Sequence, residues 1–366
     1  MGDYGKIITG NTPPTKDIGN YENGTYLWAS PADLGTIKSI TTTKTKLSSK
    51  GFSKTRALPK GSILVTCIGS TIGKAGMATK EMSTNQQINS IVVNENNDNE
   101  FVYYAIQSAF PRYLSSIAVQ AVPIISKSAF ELLPNKRPCL EEQKKIGRLL
   151  SLLDERIATQ NKIIEDLKKL KSEIIDMEYS HKSKGSSYIG DFIEQTSKRN
   201  KDSAIHNVLS VSNRQGFIQQ SEQFEGRSVA SDDTSNYKIV ERNSFAFNPA
   251  RINVGSIARL TTFERGIVSP MYICFRTKNN LFPEYLDYFF ETKQFFTEIQ
   301  KRLEGSVRQC LSYEGLCNIP LCIPAIEIQQ QIGKRLSALV QEIKLEIDFL
   351  ELLQKQKQYM LRQMFI

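Results

Sequence analysis

Residues Pro138–Ile157 read PCLEEQKKIGRLLSLLDERI, and 186 positions later Pro324–Ile343 read PAIEIQQQIGKRLSALVQEI. Pro138/Pro324, Glu141/Glu327, Gln143/Gln329, Ile146/Ile332, Gly147/Gly333, Leu150/Leu336, Ser151/Ser337 and Ile157/Ile343 are identical pairs at that offset. Agreement this dense at one offset marks an internal repeat, and the repeat decides the architecture. The register runs on. Ile146, Leu150, Leu153, Ile157, Ile164, Leu167 and Ile174 have the same spacing as Ile332, Leu336, Leu339, Ile343, Leu350, Leu353 and Met360. This is an a/d heptad seam and predicts two helices packed along their length. Its polar interruptions coincide as well, Gln160 with Glu346 and Lys171 with Lys357. A polar residue at a seam position costs stability and can fix register. Each helix is predicted to run roughly 35–40 residues, or about 55–60 Å.

The segments before the helices repeat more weakly. Residues 60–67 with the following IGSTIGKAGMA match residues 242–249 with ARINVGSIARL, and GDY at 2–4 matches GDF at 190–192. FVYYAIQSAFPRYL (101–114) resembles YLDYFFETKQFFTEI (285–299), each predicted as short aromatic-rich amphipathic helix. The chain therefore divides into a globular part and a long helix, used twice: 1–137, 138–182, 183–323 and 324–366, with HKSKGSS (181–187) as the polar junction. Short β-rich runs (SILVTCI, INSIVV, NSFAFN, MYICFRT) alternate with glycine turns and a few helices. The expected fold is α+β: two globular domains in tandem repeat, separated by two long antiparallel coiled-coil helices with pseudo-two-fold symmetry.

With 40% apolar and 23% charged residues, the 366-residue chain can bury real cores. A formal net charge of +9 points to an acidic partner, nucleic acid or an anionic surface. Cys67, Cys139, Cys274, Cys310, Cys317 and Cys322 show no C-x-x-C spacing and the two histidines are His181 and His206, so a zinc site is not expected. The sequence shows no signal-peptide pattern and no apolar run near the ~20 residues that span a bilayer, and a cytoplasmic location is expected.

No nucleotide, metalloprotease or nucleophile-elbow motif is present. Phe247-Asn248-Pro249-Ala250 lacks the second proline and the aromatic of an adenine-methyltransferase loop, and Glu342-Ile343-Lys344 lies in the heptad helix. The positive signal is charge. From Leu34 to Lys80 there are nine Lys or Arg and no acid. The candidate DNA-binding residues of the first copy are Lys44, Lys46, Lys50, Lys54, Arg56, Lys74, Asn85, Gln86 and Gln87. Those of the second are Lys198, Arg199, Arg214, Gln215, Arg227, Arg251, Asn253, Arg308 and Gln309. Lys and Arg neutralise phosphates, while Arg, Asn and Gln can pair bidentately with guanine and adenine edges. Loop hydrogen bonding is the competing reading of Asn85-Gln86-Gln87 and of Arg308-Gln309. For Gly69, Gly73 and Gly76, approach to a phosphate competes with strand-turn geometry.

The two P-x-x-E helices, GDYGKIITGNTP, ILVTCIGSTIGKAGMA and STNQQINSIVV together resemble the specificity subunit of type I restriction–modification systems, over essentially the whole chain. The resemblance implies two target-recognition domains, each reading one half of a split, asymmetric DNA site, with the paired helices as spacer. It also implies a non-catalytic chain without cofactors of its own. Two methyltransferase subunits would bring S-adenosylmethionine and flip the target adenine, and restriction subunits would add ATP- and Mg-dependent translocation and cleavage. Ile328 stands where the first copy has Glu142, and FNPARINVG replaces TCIGSTIG, so the two domains are expected to read different bases. The rival readings are a coiled-coil scaffold or adaptor whose basic loops do not read DNA, and a DNA-binding enzyme with an unrecognised active site.

Overall fold

The computed structural model describes residues 1–35, 37–116, 124–180, 187–213, 215–223, 233–305 and 309–365. The two long helices form where the repeat places them, Leu140–Glu178 and Ile326–Met364, each 39 residues long and so about 58 Å. Helix-favouring Leu, Glu, Lys and Gln fill both, and no proline interrupts them. No helix among the described residues is long and apolar enough to cross a membrane.

The chain forms two compact units, Met1–Lys162 with Asp348–Ile366 and Ile163–Ile347. Each unit thus combines one globular part with the start of one long helix and the end of the other. In the first unit Gly5–Thr9, Ile88–Val93, Ile63–Thr66 and Ala75–Ala78 lie side by side as antiparallel strands, and Ser39–Ile40 adds a parallel edge. In the second unit Ile193–Thr196, Ile273–Thr277, Phe245–Phe247 and Ile257–Arg259 take the same antiparallel order. Ile63–Thr66 is buried at every position, which is why it reads as an unbroken apolar run rather than an alternating one. A smaller sheet accompanies each. Thr45–Leu47, Tyr26–Ala29 and Ser83–Thr84 form it in the first unit. Gly216–Gln219, Val208–Ser212, Arg265–Val268 and Lys238–Glu241 form it in the second.

The predicted seam faces inward throughout. Leu150, Leu153, Ile164, Ile332, Leu336, Ile343 and Leu353 are buried. Ile146, Ile157, Leu167, Leu339 and Leu350 are half-buried. What they pack against differs from a simple two-helix seam. Ile146, Leu150, Leu153 and Leu361 enter the core built by Phe101, Tyr104, Phe110 and Ile63. Ile332 and Leu336 join Ile175 and Tyr179 in the core of Tyr285, Phe289 and Phe275. Each helix start is therefore part of a globular core, and the end of the other helix enters the same core. The helix segments run antiparallel: in the first unit Asp154 meets Lys357 at 2.5 Å while Arg156 lies over the Phe349 ring. In the second, Glu178 meets Arg335 at 2.7 Å.

The aromatic segments form differently from one another. The first is one continuous helix, Asn99–Ser116. The second is broken into Pro283–Phe289 and Lys293–Arg302. Thr292 causes the break, because its hydroxyl accepts from the Phe295 N–H at 3.0 Å and starts a new helix there.

Candidate nucleic-acid interface

The end of the first strand organises the basic face of the first unit. A Cβ on Gly10 would lie 2.2 Å from the Asn85 carbonyl oxygen, so only glycine lets this strand lie against residues 84–85. Asn11 follows and ties three segments together. Its Nδ2 donates to the Lys54 carbonyl (2.8 Å), its Oδ1 accepts from the Arg56 N–H (3.0 Å), and its carbonyl accepts from Trp28 Nε1 (3.1 Å). Thr12 then hydrogen-bonds Gln86. Stacking of Phe52 on Tyr26, centroids 4.4 Å apart, holds the short Ser49–Phe52 turn of helix on its strand. Lys50, Lys54, Arg56 and Gln86 thus converge, exposed, on one region, next to the strand that carries Lys46 and the loop of Lys44.

Asp17 sits in this region. It takes hydrogen bonds from Lys50 and Lys54, both at 3.1 Å, and these hold its carboxyl below the usual carboxylate range. Asn85 and Gln87 turn inward: Gln87 N–H donates to Asn85 Oδ1 and Asn85 Nδ2 to Gln87 Oε1, each at 3.0 Å, and Asn85 is buried. Lys74 is placed apart from the Lys50 cluster, its stem against Gly35. Gly69 and Gly73 have φ of 96° and 90°, which accounts for both as turn residues.

In the second unit three segments meet. Asn213 packs beside Gly255, and the Leu311 N–H donates to the Pro249 carbonyl at 3.1 Å. These contacts gather Gln215, Arg251, Asn253 and Gln309. The Asn253 Oδ1 is buried and has no hydrogen-bond partner among the described residues, whereas Gln215, Arg251 and Gln309 are exposed. Lys198 and Arg199 belong to a different edge, where the Ile239 N–H donates to the Lys198 carbonyl and Arg199 donates to Asn236 (3.0 Å). Arg214, Arg227 and Arg308 lie outside the described residues. Asn248 caps a turn through the Ala250 N–H (3.1 Å), and Glu342 and Lys344 are exposed on the long helix. Cys67 and Cys274 are buried, and burial pushes both thiols up to about 12. Among the described residues no three His, Cys, Asp or Glu side chains cluster as metal ligands.

Two further cations, Lys38 of the acid-free run and Arg259 of the second globular part, are committed elsewhere. Lys38 donates to Glu100 (2.7 Å) and Ser151 (3.0 Å). Arg259, with 8% of its side chain exposed, pairs with Glu284 (2.7 Å) and Asp287 (3.1 Å). Both face the long helices' docking sites, and burial of an ion pair is tolerable only with such complete hydrogen bonding.

Sequence reasoning missed the residues that join each globular part to its helix. Gln143 and Gln329 are each 1% exposed. The Gln143 carboxamide accepts from the Asp98 N–H (3.1 Å) and donates to Asn97 Oδ1 (3.2 Å) and the Pro138 carbonyl (3.0 Å). Gln329 accepts from the Phe282 N–H (2.8 Å) and donates to the carbonyls of Asn280 (3.1 Å) and Pro324 (2.8 Å). Gly147 and Gly333 let the helix touch the aromatic segment: a Cβ at Gly147 would lie 2.5 Å from Asp98 Oδ1, and one at Gly333 would lie 3.0 Å from Glu284 Cβ. The available signal was their identity between copies, the glutamines extending the seam register one heptad before Leu150 and Leu336 and the glycines lying just beside it.

A family described as the type I restriction modification DNA specificity domain matches residues 1–169 and again residues 210–354. The type I restriction enzyme MjaIX specificity subunit of Methanocaldococcus jannaschii is 30% identical over 178 residues, 47% of this chain and 41% of that protein. The HindI specificity subunit of Haemophilus influenzae is 34% identical over 121 residues, 32% of this chain and 26% of that one. The chain thus aligns with less than half the length of these relatives. In fold it is similar to the type I restriction–modification S subunit from M. genitalium, with a TM-score of 0.60 at 17% identity, over 99% of this chain and 93% of that one. Two matched regions on a twice-built framework place this chain in the type I restriction modification DNA specificity domain family.

Proposed function

We propose that this chain is the sequence-reading subunit of a type I restriction–modification complex. Each globular part reads one half of a split DNA site, and the long helices set the gap and dock methyltransferase subunits. The observation that carries the reading is the duplicated framework. The same four-strand order, glutamine brace and glycine contact recur around both helix starts, while the polar segments beyond them differ. Two readers of different half-sites on one ruler require that combination. In this reading Lys44, Lys46, Lys50, Lys54 and Arg56 engage phosphate, and the exposed Gln86, Gln215, Arg251 and Gln309 face base edges, while Asn253, whose Oδ1 is buried, supports the loop beside Arg251. Asn85 and Gln87 instead shape the loop that presents Gln86. S-adenosylmethionine, ATP and Mg belong to cytoplasmic partner subunits, and this chain contributes recognition alone.

Binding of duplex DNA by the chain assembled with its cognate methyltransferase tests this. The logarithm of affinity is expected to fall linearly with the logarithm of salt concentration, because paired phosphates release counterions. Binding that is absent at low salt leaves the scaffold reading. Methyl transfer or cleavage by the purified chain alone contradicts the non-catalytic assignment.

A further inference from the structure

Each unit contains a tyrosine clasped by a seam lysine that comes from the long helix ending in that unit. In the first, Tyr104 is fully buried on the aromatic helix and its hydroxyl donates to Asp154 Oδ2 at 2.6 Å. Lys357 Nζ lies 5.5 Å from the ring centroid and 2.5 Å from Asp154 Oδ1. Lys38 Nζ lies 5.4 Å from the same centroid. In the second unit Tyr288 is buried, and Lys171 Nζ sits 5.5 Å from its ring centroid. Lys171 also contacts both Glu291 oxygens, at 2.6 and 2.8 Å. The Tyr288 hydroxyl shares a hydrogen bond with Ser337 at 3.0 Å, and Ser337 is the counterpart of Ser151.

A lysine is a poor choice for a seam position unless it finds an acceptor and an aromatic face, and both copies supply the two. A helix that needed only to pair would carry an apolar residue here. The lysine stems are also long enough that the ammonium reads the position of the tyrosine rather than merely filling space. Beside the first clasp lies an open cavity of about 760 Å³ lined by Lys38, Ser151, Asp154 and Lys357, so the charged end of the clasp borders solvent while the Tyr104 ring stays in the core.

We propose that Tyr104 with Lys357, and Tyr288 with Lys171, are two equivalent locks. They fix the orientation of each globular part on the helices of its own unit, and thereby the DNA gap that the assembled protein accepts. All four are positioning residues that contact no DNA. The proposal rests on the two-half-site reading above.

The test uses the chain assembled with its methyltransferase and duplexes carrying the cognate gap or a gap one base pair longer or shorter. K357M and K171M keep the apolar stem and remove the charge. Each is expected to reduce discrimination between gaps about ten-fold, with the half-site bases unchanged. K357R keeps a cation over the ring and is expected to stay within about two-fold of the parent. Should a methionine variant fail to fold, Y104F, which deletes only the hydroxyl, carries the test, with an expected loss of about three-fold. Variants that assemble and melt as the parent does yet discriminate gaps equally well overturn the proposal. A parent complex that methylates no split site overturns the functional reading instead. The locks are then judged by amide exchange over residues 99–107 in K357M, where faster exchange supports them and unchanged exchange overturns them.

Discussion

The two units agree in their docking framework and disagree in what they carry. Both have four antiparallel strands in the same order, a buried glutamine bonded back to the proline that precedes its helix, and a glycine where helix and aromatic segment touch. They differ in the small sheet, in the aromatic segment and in the exposed polar residues. The first gathers Lys50, Lys54 and Arg56 in an acid-poor cluster, whereas the second spaces Arg251 among Gln215, Asn253 and Gln309. Contacts that join a domain to a helix tolerate little change, since each is buried and hydrogen-bonded. Surface side chains that meet solvent can diverge freely.

The two locks show the same contrast at one position. Asp154 on the first long helix supplies the acid for Lys357, but its counterpart is Val340, and Lys171 turns to Glu291 on the second globular part. The lysine and the tyrosine are kept while the acceptor moves.

The largest effects are expected at the shared framework. Gln143→Ala and Gln329→Ala each remove three hydrogen bonds, leaving a half-buried backbone N–H and two acceptors unpaired, and should destabilise the affected unit by about 3 kcal/mol, measured by denaturant unfolding. Equal losses in the two units confirm equivalent braces, and a loss at only one breaks the comparison. Gly147→Ala should cost about 3 kcal/mol and Gly333→Ala about 1 kcal/mol, because the first Cβ would press on the Asp98 carboxylate, itself bonded to the Phe101 N–H at 2.9 Å. The reverse order contradicts that packing. A smaller effect sharpens the lock comparison. Glu291→Gln should cost about 0.5 kcal/mol, since Glu291 is exposed and its pairing is screened, and adding Val340→Asp should restore it. No recovery in the double variant means that residue 340 does not take the place Asp154 holds. The smallest effect belongs to the basic face. Asp17→Asn releases Lys50 and Lys54 and should raise DNA affinity about two-fold at low salt, whereas Lys54→Ala should lower the salt slope by about one.

The long helices, their ends and their inward stripe were legible because a heptad pattern survives in sequence wherever its side chains are buried. The strands around SILVTCI and NSFAFN were legible for the same reason. The packing partners were not. Leu150 and Leu336 read as helix-to-helix contacts, yet they enter globular cores, and sequence spacing says which face is apolar but not what covers it. Charge was legible as a sum and misleading residue by residue. Lys38, half-buried, and Arg259, nearly buried, are held in ion pairs whose acids, Glu100 and Glu284, stand far away in sequence. Asn85 and Gln87 satisfy each other, a local pairing that the triplet Asn85-Gln86-Gln87 did not distinguish from base reading. Thr292 was the overlooked signal for the broken second aromatic segment.

The central claim is that two independent readers share one ruler. Its most direct test is to co-express the chain with its cognate methyltransferase and map methylated adenines across the host DNA, for the parent and for a chain whose residues 1–137 are exchanged for those of a relative. The account predicts a split, asymmetric motif in the parent, and in the exchanged chain a motif with one half altered while the other half and the gap persist. A continuous motif in the parent, or an exchange that alters both halves, would contradict it.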